Sequence, residues 1–168
     1  MNQSTKQAAV KQSTEVGAPA PDFTLHDAAG QPWRLSEQRG QVVVLLFYPG
    51  DETPICTRQM CSLRDRWEDY AATGAEVVGI STDSAESHRK FAEHHGLPLR
   101  LLSDTGGAVG KAYGVRSIIP GRTARAVFVV DARGQVSYRN TRALVGLLLP
   151  PKDDETITAI RKALQSAG

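Results

Sequence analysis

The 168-residue chain has only two cysteines and no long apolar run. Its longest hydrophobic stretch, residues 42–48, is far too short to span a membrane. The net charge is +2, with 23% charged residues of both signs and no basic block, so neither nucleic acid nor a membrane surface is an expected partner. Residues 1–17 carry no apolar core of the kind an export signal needs and no arginine of the kind a transit peptide uses, so a cytoplasmic protein is expected. No internal repeat or second domain interrupts the chain. A C-x-x-C pair is missing, which argues against a disulfide oxidoreductase. The cysteine spacing fits no zinc knuckle, and His26, His88 and the adjacent His94–His95 pair are not expected to join the cysteines around a metal. Two cysteines in a reducing compartment point to chemistry and not to a structural staple.

Both cysteines fall within residues 47–64, FYPGDETPICTRQMCSLR. The preceding run of Val, Leu, Phe and Tyr suits a strand buried on both faces. Pro49, Gly50 and Asp51 break it as a turn. Thr53 is a good N-cap and Pro54 fits the first helical position, where its missing N–H costs nothing. Cys56 then lies over the unpaired N–H groups of the first turn, whose partial positive charge favours thiolate over thiol. A helix from Pro54 to about Tyr70 would stack Cys56, Met60, Leu63, Trp67 and Tyr70 on one stripe. Cys61 would fall on the polar side with Arg58, Asp65 and Glu68. In a regular helix the two cysteine Cα atoms stand roughly 8.5–9 Å apart, beyond the limit of about 7 Å for a disulfide. They can bond only where the helix unwinds.

Pro49, Thr53 and Cys56 form P-x-x-x-T-x-x-C, which resembles the active-site signature of the peroxiredoxins. Cys61, five residues on, and the flanking residues 47–49 and 53–57 resemble the peroxiredoxin Q (bacterioferritin comigratory protein) subfamily. Ile55 departs from it, standing where many relatives carry glycine. The likeness runs from about Ala18 to Val130 and weakens after Asn140. It implies a thiol-dependent peroxidase that reduces hydrogen peroxide and organic hydroperoxides. Cys56 would be the peroxidatic nucleophile, leaving as sulfenic acid, and Cys61 the resolving thiol that closes an intramolecular disulfide. Thioredoxin or a similar dithiol would reopen it. Thr53 would bind peroxide and thiolate as well as cap the helix, and Pro49 would shield the sulfur. The resemblance selects Arg125, ahead of Phe128, as the activating cation, with Arg122 as the alternative. No metal, haem, flavin or other cofactor is implied, and a monomer or weak homodimer suffices. A resolving role for Cys61 competes with a one-cysteine mechanism. A redox-sensing switch or holdase that uses the same pair without turnover is the alternative function.

The rest of the chain supplies the scaffold. Residues 1–16 read as a flexible N-terminal tail, and 17–168 as a single domain. Residues 23–26 and 33–35 suggest an N-terminal β-hairpin. Strands are expected over 76–81 and 99–102, with a helix between them begun by an Asp83–Glu86 capping box and ended at Gly96. A brief helix follows over 107–113. Residues 125–131 and 135–139 form a second hairpin, and 153–167 a closing helix striped by Ile157, Ile160 and Leu164. This order indicates an α/β domain, a central mixed β-sheet flanked by helices. The resemblance makes it a thioredoxin-like fold. Residues 141–151, apolar for a connection, are a candidate interface or pocket wall.

Overall fold

The computed structural model describes residues 14–141 and 149–166. Most of the expected tail, residues 1–13, and most of the 141–151 connection therefore lie outside the described residues. Thr14, within the expected tail, is buried and its hydroxyl donates to the Tyr113 carbonyl over 3.3 Å.

Seven strands form one mixed sheet. They are β1 (Thr24–Asp27), β2 (Pro32–Arg34), β3 (Val43–Phe47), β4 (Glu76–Ser81), β5 (Arg100–Ser103), β6 (Ala126–Val130) and β7 (Val136–Thr141), in the spatial order β2-β1-β5-β4-β3-β6-β7. The central β3, β4 and β5 run parallel, and all other neighbours are antiparallel. Among the described residues the helices are α1 (Pro54–Asp65), α2 (Trp67–Ala72), α3 (Ala85–His95), α4 (Ala108–Ala112) and α5 (Asp153–Gln165). The expected N-terminal hairpin is β1–β2, but Leu35 opens a 3₁₀ turn and is not part of the second strand.

Alternation along β3 divides the core in two, because successive side chains leave opposite faces. Val42, Val44, Leu46 and Tyr48 face Cys56, Met60 and Leu63 of α1, Phe91 of α3, and Ile157 and Ile160 of α5. Val43, Leu45 and Phe47 face Trp33, Leu35, Val109, Tyr113 and Phe128. Gly79 in β4 serves the first layer, since a Cβ there would sit 3.2 Å from the Tyr48 ring and 2.8 Å from Leu101. A glycine leaves room there for the Tyr48 ring.

Three local expectations are corrected. The cysteine helix does not run unbroken to Tyr70: it stops at Asp65, and the Arg66 N–H is shared between the carbonyls of Ser62 and Leu63 at 3.1 and 3.2 Å. That tight turn redirects α2, so that the Tyr70 hydroxyl donates to Asp153 over 2.6 Å and Arg66 pairs with Asp154 over 2.8 Å. At α3 the cap is Ser84, whose Oγ accepts from the Ser87 N–H, while Asp83 is engaged with other partners. On α5 the buried face is Thr156, Ile157, Ala159, Ile160 and Ala163, and Leu164 is exposed.

Ile160 is fully buried against α1 and β6 neighbours in the same core layer. Ile160→Ala should cost about 2–5 kcal/mol of unfolding free energy in urea denaturation, the usual range for a buried methylene loss that leaves a cavity.

Candidate active site

The register of the sheet determines which residues meet. Phe47 pairs with Ala126 across the antiparallel β3–β6 ladder, so Arg125 lies level with Tyr48, where β3 hands over to the loop leading to α1. The Thr123 hydroxyl donates to the Tyr48 carbonyl over 2.7 Å and stitches the two segments just beyond the ladder.

Cys56 is the third residue of α1 and is wholly buried. Thr53 occupies the N-cap position as expected, and its carbonyl accepts from the Thr57 N–H at 2.8 Å. Its side chain, however, does not cap. The hydroxyl donates to the Gly50 carbonyl at 3.0 Å, and no side chain caps the helix. The N–H groups of the first turn beside Cys56 thus have no side-chain cap, and uncapped helix N-termini can receive anions.

Arg125 is 4% exposed and donates to the Gln59 side-chain oxygen. Gln59 is itself buried and follows Cys56 by one helical turn on the same side of α1. The buried guanidinium is therefore seated against the first turns of the cysteine helix. Arg122 is engaged otherwise: its guanidinium donates to the Pro49 carbonyl and to Asp83, each at 3.3 Å, with the side chain 42% exposed. Pro49 and Ile55 are half-buried. Pro49, Thr53, Cys56 and Arg125 thus come to one end of the sheet. Cys61 lies further along the same intact helix, half-buried, and both cysteines are free thiols. The regular helix keeps the two Cα atoms beyond disulfide reach.

Sequence reasoning missed the network that fixes the loop. Asp51 accepts from the Tyr48 hydroxyl at 2.6 Å, from the Ser87 hydroxyl at 2.8 Å and from His88 Nδ1 at 2.8 Å. His88 Nε2 faces the Leu102 carbonyl at 3.1 Å. Both ring nitrogens thus lie within hydrogen-bond distance of an oxygen. The Asp51 N–H in turn donates to Asp83 at 2.8 Å, and Asp83 accepts from Ser81 at 2.7 Å. Burial pushes the Asp51 carboxyl up, but hydrogen bonds from His88 and Tyr48 and the charge of His88 outweigh it and hold the group below the ordinary carboxylate range. Burial, reinforced by the Asp51 charge, pushes the Tyr48 phenol well above its usual value. The spacing of Gln59, one helical turn after Cys56, was the one signal that could have found it; Asp51 read only as a turn residue, and His88 only as a histidine not expected to join the cysteines around a metal.

His88 belongs to Asp51, and His94 and His95 both contact Glu52. Among the described residues, Glu52, His94 and His95 are the group whose ligand atoms converge as a metal site requires. Among the described residues, no helix is long and apolar enough to cross a membrane.

Residues 16–139 match the AhpC/TSA family. The chain is 49% identical over 127 residues to the chloroplastic peroxiredoxin Q of Sedum lineare, covering 74% of this chain and 68% of that protein. It is likewise 49% identical over 123 residues to the chloroplastic peroxiredoxin Q of Triticum aestivum, covering 73% of this chain and 57% of that longer protein. Peroxidoxin BcpB from Mycobacterium tuberculosis superposes with a TM-score of 0.76 at 32% identity, covering 89% of this chain and 98% of that one. The thioredoxin-like architecture is thereby established. Both plant relatives are named as chloroplastic, so the expectation of a cytoplasmic chain gains no support from them.

The Asp51–His88 pair has a measurable signature. With the Asp51 side chain 2% exposed and that of His88 fully buried, Asp51→Asn should cost about 3–5 kcal/mol near neutral pH, as when one partner of a buried pair is removed. Because the native carboxyl titrates below its unfolded value, its contribution is complete above the ordinary carboxylate range and is lost as the pH falls through the native value. Urea denaturation of both proteins should show a gap that narrows as the pH falls below about 4.

Proposed function

Since the chain belongs to the AhpC/TSA family of peroxiredoxins, we propose that it is a peroxidase in which Cys56 and Cys61 perform the two thiol steps. The observation that carries this reading is the seat of Cys56: third in an uncapped helix, with the buried Arg125 docked through Gln59 on the same side. The Cys56 thiolate attacks one peroxide oxygen; the S–O bond forms as the O–O bond breaks, and the second oxygen leaves as water or alcohol after taking a proton. Sulfur is oxidised by two electrons to sulfenic acid and the peroxide is reduced by the same two. Negative charge moves from sulfur to the departing oxygen during this step. A guanidinium with fixed donors and the open N–H groups of α1 stabilise it at both ends. The Thr53 hydroxyl, beside this helix start, supplies a further polar contact for peroxide, and Pro49 screens the sulfur from water.

Cys61 then attacks the sulfenic sulfur, expelling water and forming the Cys56–Cys61 disulfide. The unwinding this requires frees α1 from its dipole-bearing start onward. A dithiol such as thioredoxin attacks the disulfide and regenerates both thiols by exchange. Hydrogen peroxide and small organic hydroperoxides are the substrate class. Arg122, bound to Pro49 and Asp83, serves the loop and not the sulfur.

Cys56→Ser should abolish peroxide consumption in a coupled thioredoxin assay, whereas Cys61→Ser should consume about one equivalent and then stall or overoxidise. Equal residual turnover in the two variants would sink the assignment, and a single equivalent from the unaltered protein with reductant present would favour the sensor. Arg125→Ala should slow the peroxide step about 10²–10³-fold in rapid-mixing kinetics, the cost of losing an oxyanion donor; a near-unaltered rate constant would remove Arg125 from this role.

Oxidation should also remove amide-exchange protection over residues 57–63 while β3 and β6 stay protected. Identical exchange in the reduced and disulfide forms would refute the unwinding step.

A further inference from the structure

Residues that the cysteine chemistry leaves unused meet at the C-terminal end of α3. His94 and His95 close that helix before Gly96, and Glu52 reaches them from the loop ahead of Thr53. His94 Nδ1 stands 2.9 Å from one Glu52 carboxylate oxygen and His95 Nε2 3.0 Å from the other. Side chains of adjacent helical residues leave the axis about 100° apart, yet these two rings have converged to a centroid separation of 4.1 Å. One nitrogen from each ring and a carboxylate oxygen all lie within 4.8 Å of one another. Glu52 is the only non-glycine described residue with positive φ, at 59°. The left-handed backbone is unfavourable for a residue with a side chain, and here it accompanies a carboxylate held between two imidazoles.

We propose that Glu52, His94 and His95 form a binding site for one divalent transition-metal ion of the Zn²⁺ class, which ties the loop ahead of Cys56 to the end of α3. Two imidazole nitrogens and one carboxylate oxygen are a donor set that suits Zn²⁺ and its neighbours better than Mg²⁺ or Ca²⁺. Metal–ligand bonds of about 2.0–2.2 Å at a tetrahedral angle place the nitrogen and oxygen roughly 3.3 Å apart. The two nitrogens now stand at different oxygens of the carboxylate, at 2.9 and 3.0 Å, and the three ligand atoms lie within 4.8 Å of one another, so an ion would draw the rings together by about an ångström or more through side-chain rotation. Three protein ligands leave a fourth position for water. The site is reachable from solvent: the side chains of His94, Glu52 and His95 are 67%, 48% and 17% exposed. The C-terminal end of α3 favours a cation. Arg64 donates to the His95 backbone carbonyl at 2.7 Å, not to a ligand atom. An ion held by both segments binds this loop conformation and favours it over any in which the start of α1 moves away.

The test uses tag-free, full-length Cys56→Ser/Cys61→Ser protein, so that thiolates cannot compete for the ion and the result is independent of the peroxidase reading. Calorimetric titration with Zn²⁺ should give one ion per chain. Adding His94→Asn, or separately Glu52→Gln, should weaken binding at least about tenfold, because each removes one of the three ligands. His94 is mostly exposed, and circular dichroism and a thermal melt of the metal-free variants verify their folding. Zn²⁺ should increase amide-exchange protection over residues 49–55 in the parent and not in His94→Asn. No one-to-one isotherm, an affinity unchanged in both variants, or binding that leaves the loop unprotected would each overturn the proposal.

Discussion

A buried carboxylate–imidazole pair sets the geometry on which the site depends. Asp51 and His88 are both withdrawn from solvent, and their mutual bond fastens the loop after β3 to the flank of α3. Tyr48, Ser87, Asp83 and Ser81 satisfy the remaining polar atoms of the network. Such a pair costs several kcal/mol of desolvation per ion and returns it only when its hydrogen bonds are complete. They are complete here, and the outcome is positional: residues 49–53 leave the strand along one path, and α1 begins where Cys56 falls on its first turn.

The second determinant is the register between β3 and β6. A one-residue slip in an antiparallel pair reverses every side chain. It would move Phe128 and Val127 to the wrong layers and carry Arg125 away from Gln59. The continuous apolar character of β3 and β6 leaves slippage to be opposed by shape. The edge-on contacts of Phe47 and Tyr113 with Phe128, at centroid distances of 5.8 and 5.1 Å, provide it. Packing in one layer thereby positions a cation in the other.

The strands, the hairpins and the N-terminus of α1 were legible because each carries a local signature: an apolar run, a turn dipeptide, or a proline one place inside a helix. Cys56, Thr53 and Pro49 were readable as candidates for the same reason, reinforced by their spacing, whereas Arg125 was singled out among many arginines only by the family resemblance. Contacts across distant segments were not. Thr53 has the chemistry of a cap, yet its hydroxyl turns to Gly50, a preference decided by the loop. Asp83 and Glu86 have the spacing of a capping box, but Asp83 is claimed by Asp51, Ser81 and Arg122, and Ser84 takes its place. The break at Arg66 carries neither proline nor glycine, and the contacts that accompany it are with Asp153 and Asp154, more than eighty residues on. Nor could the turn proposed for Glu52 toward two histidines be read before the chain was folded.

The interruption at Arg66 has a mechanical meaning. Helix formation is cooperative, so a helix that begins to fray tends to lose successive turns. In an unbroken segment reaching Tyr70, disorder started at Cys56 would run on into the aromatic packing of Trp67 and Tyr70. The stop at Asp65 acts as a firebreak. Beyond it α2 is a separate unit, pinned to the start of α5 by Tyr70 and Arg66. Whatever opens α1 therefore draws on twelve residues and no more, and the segment closes again against a neighbour that has not moved.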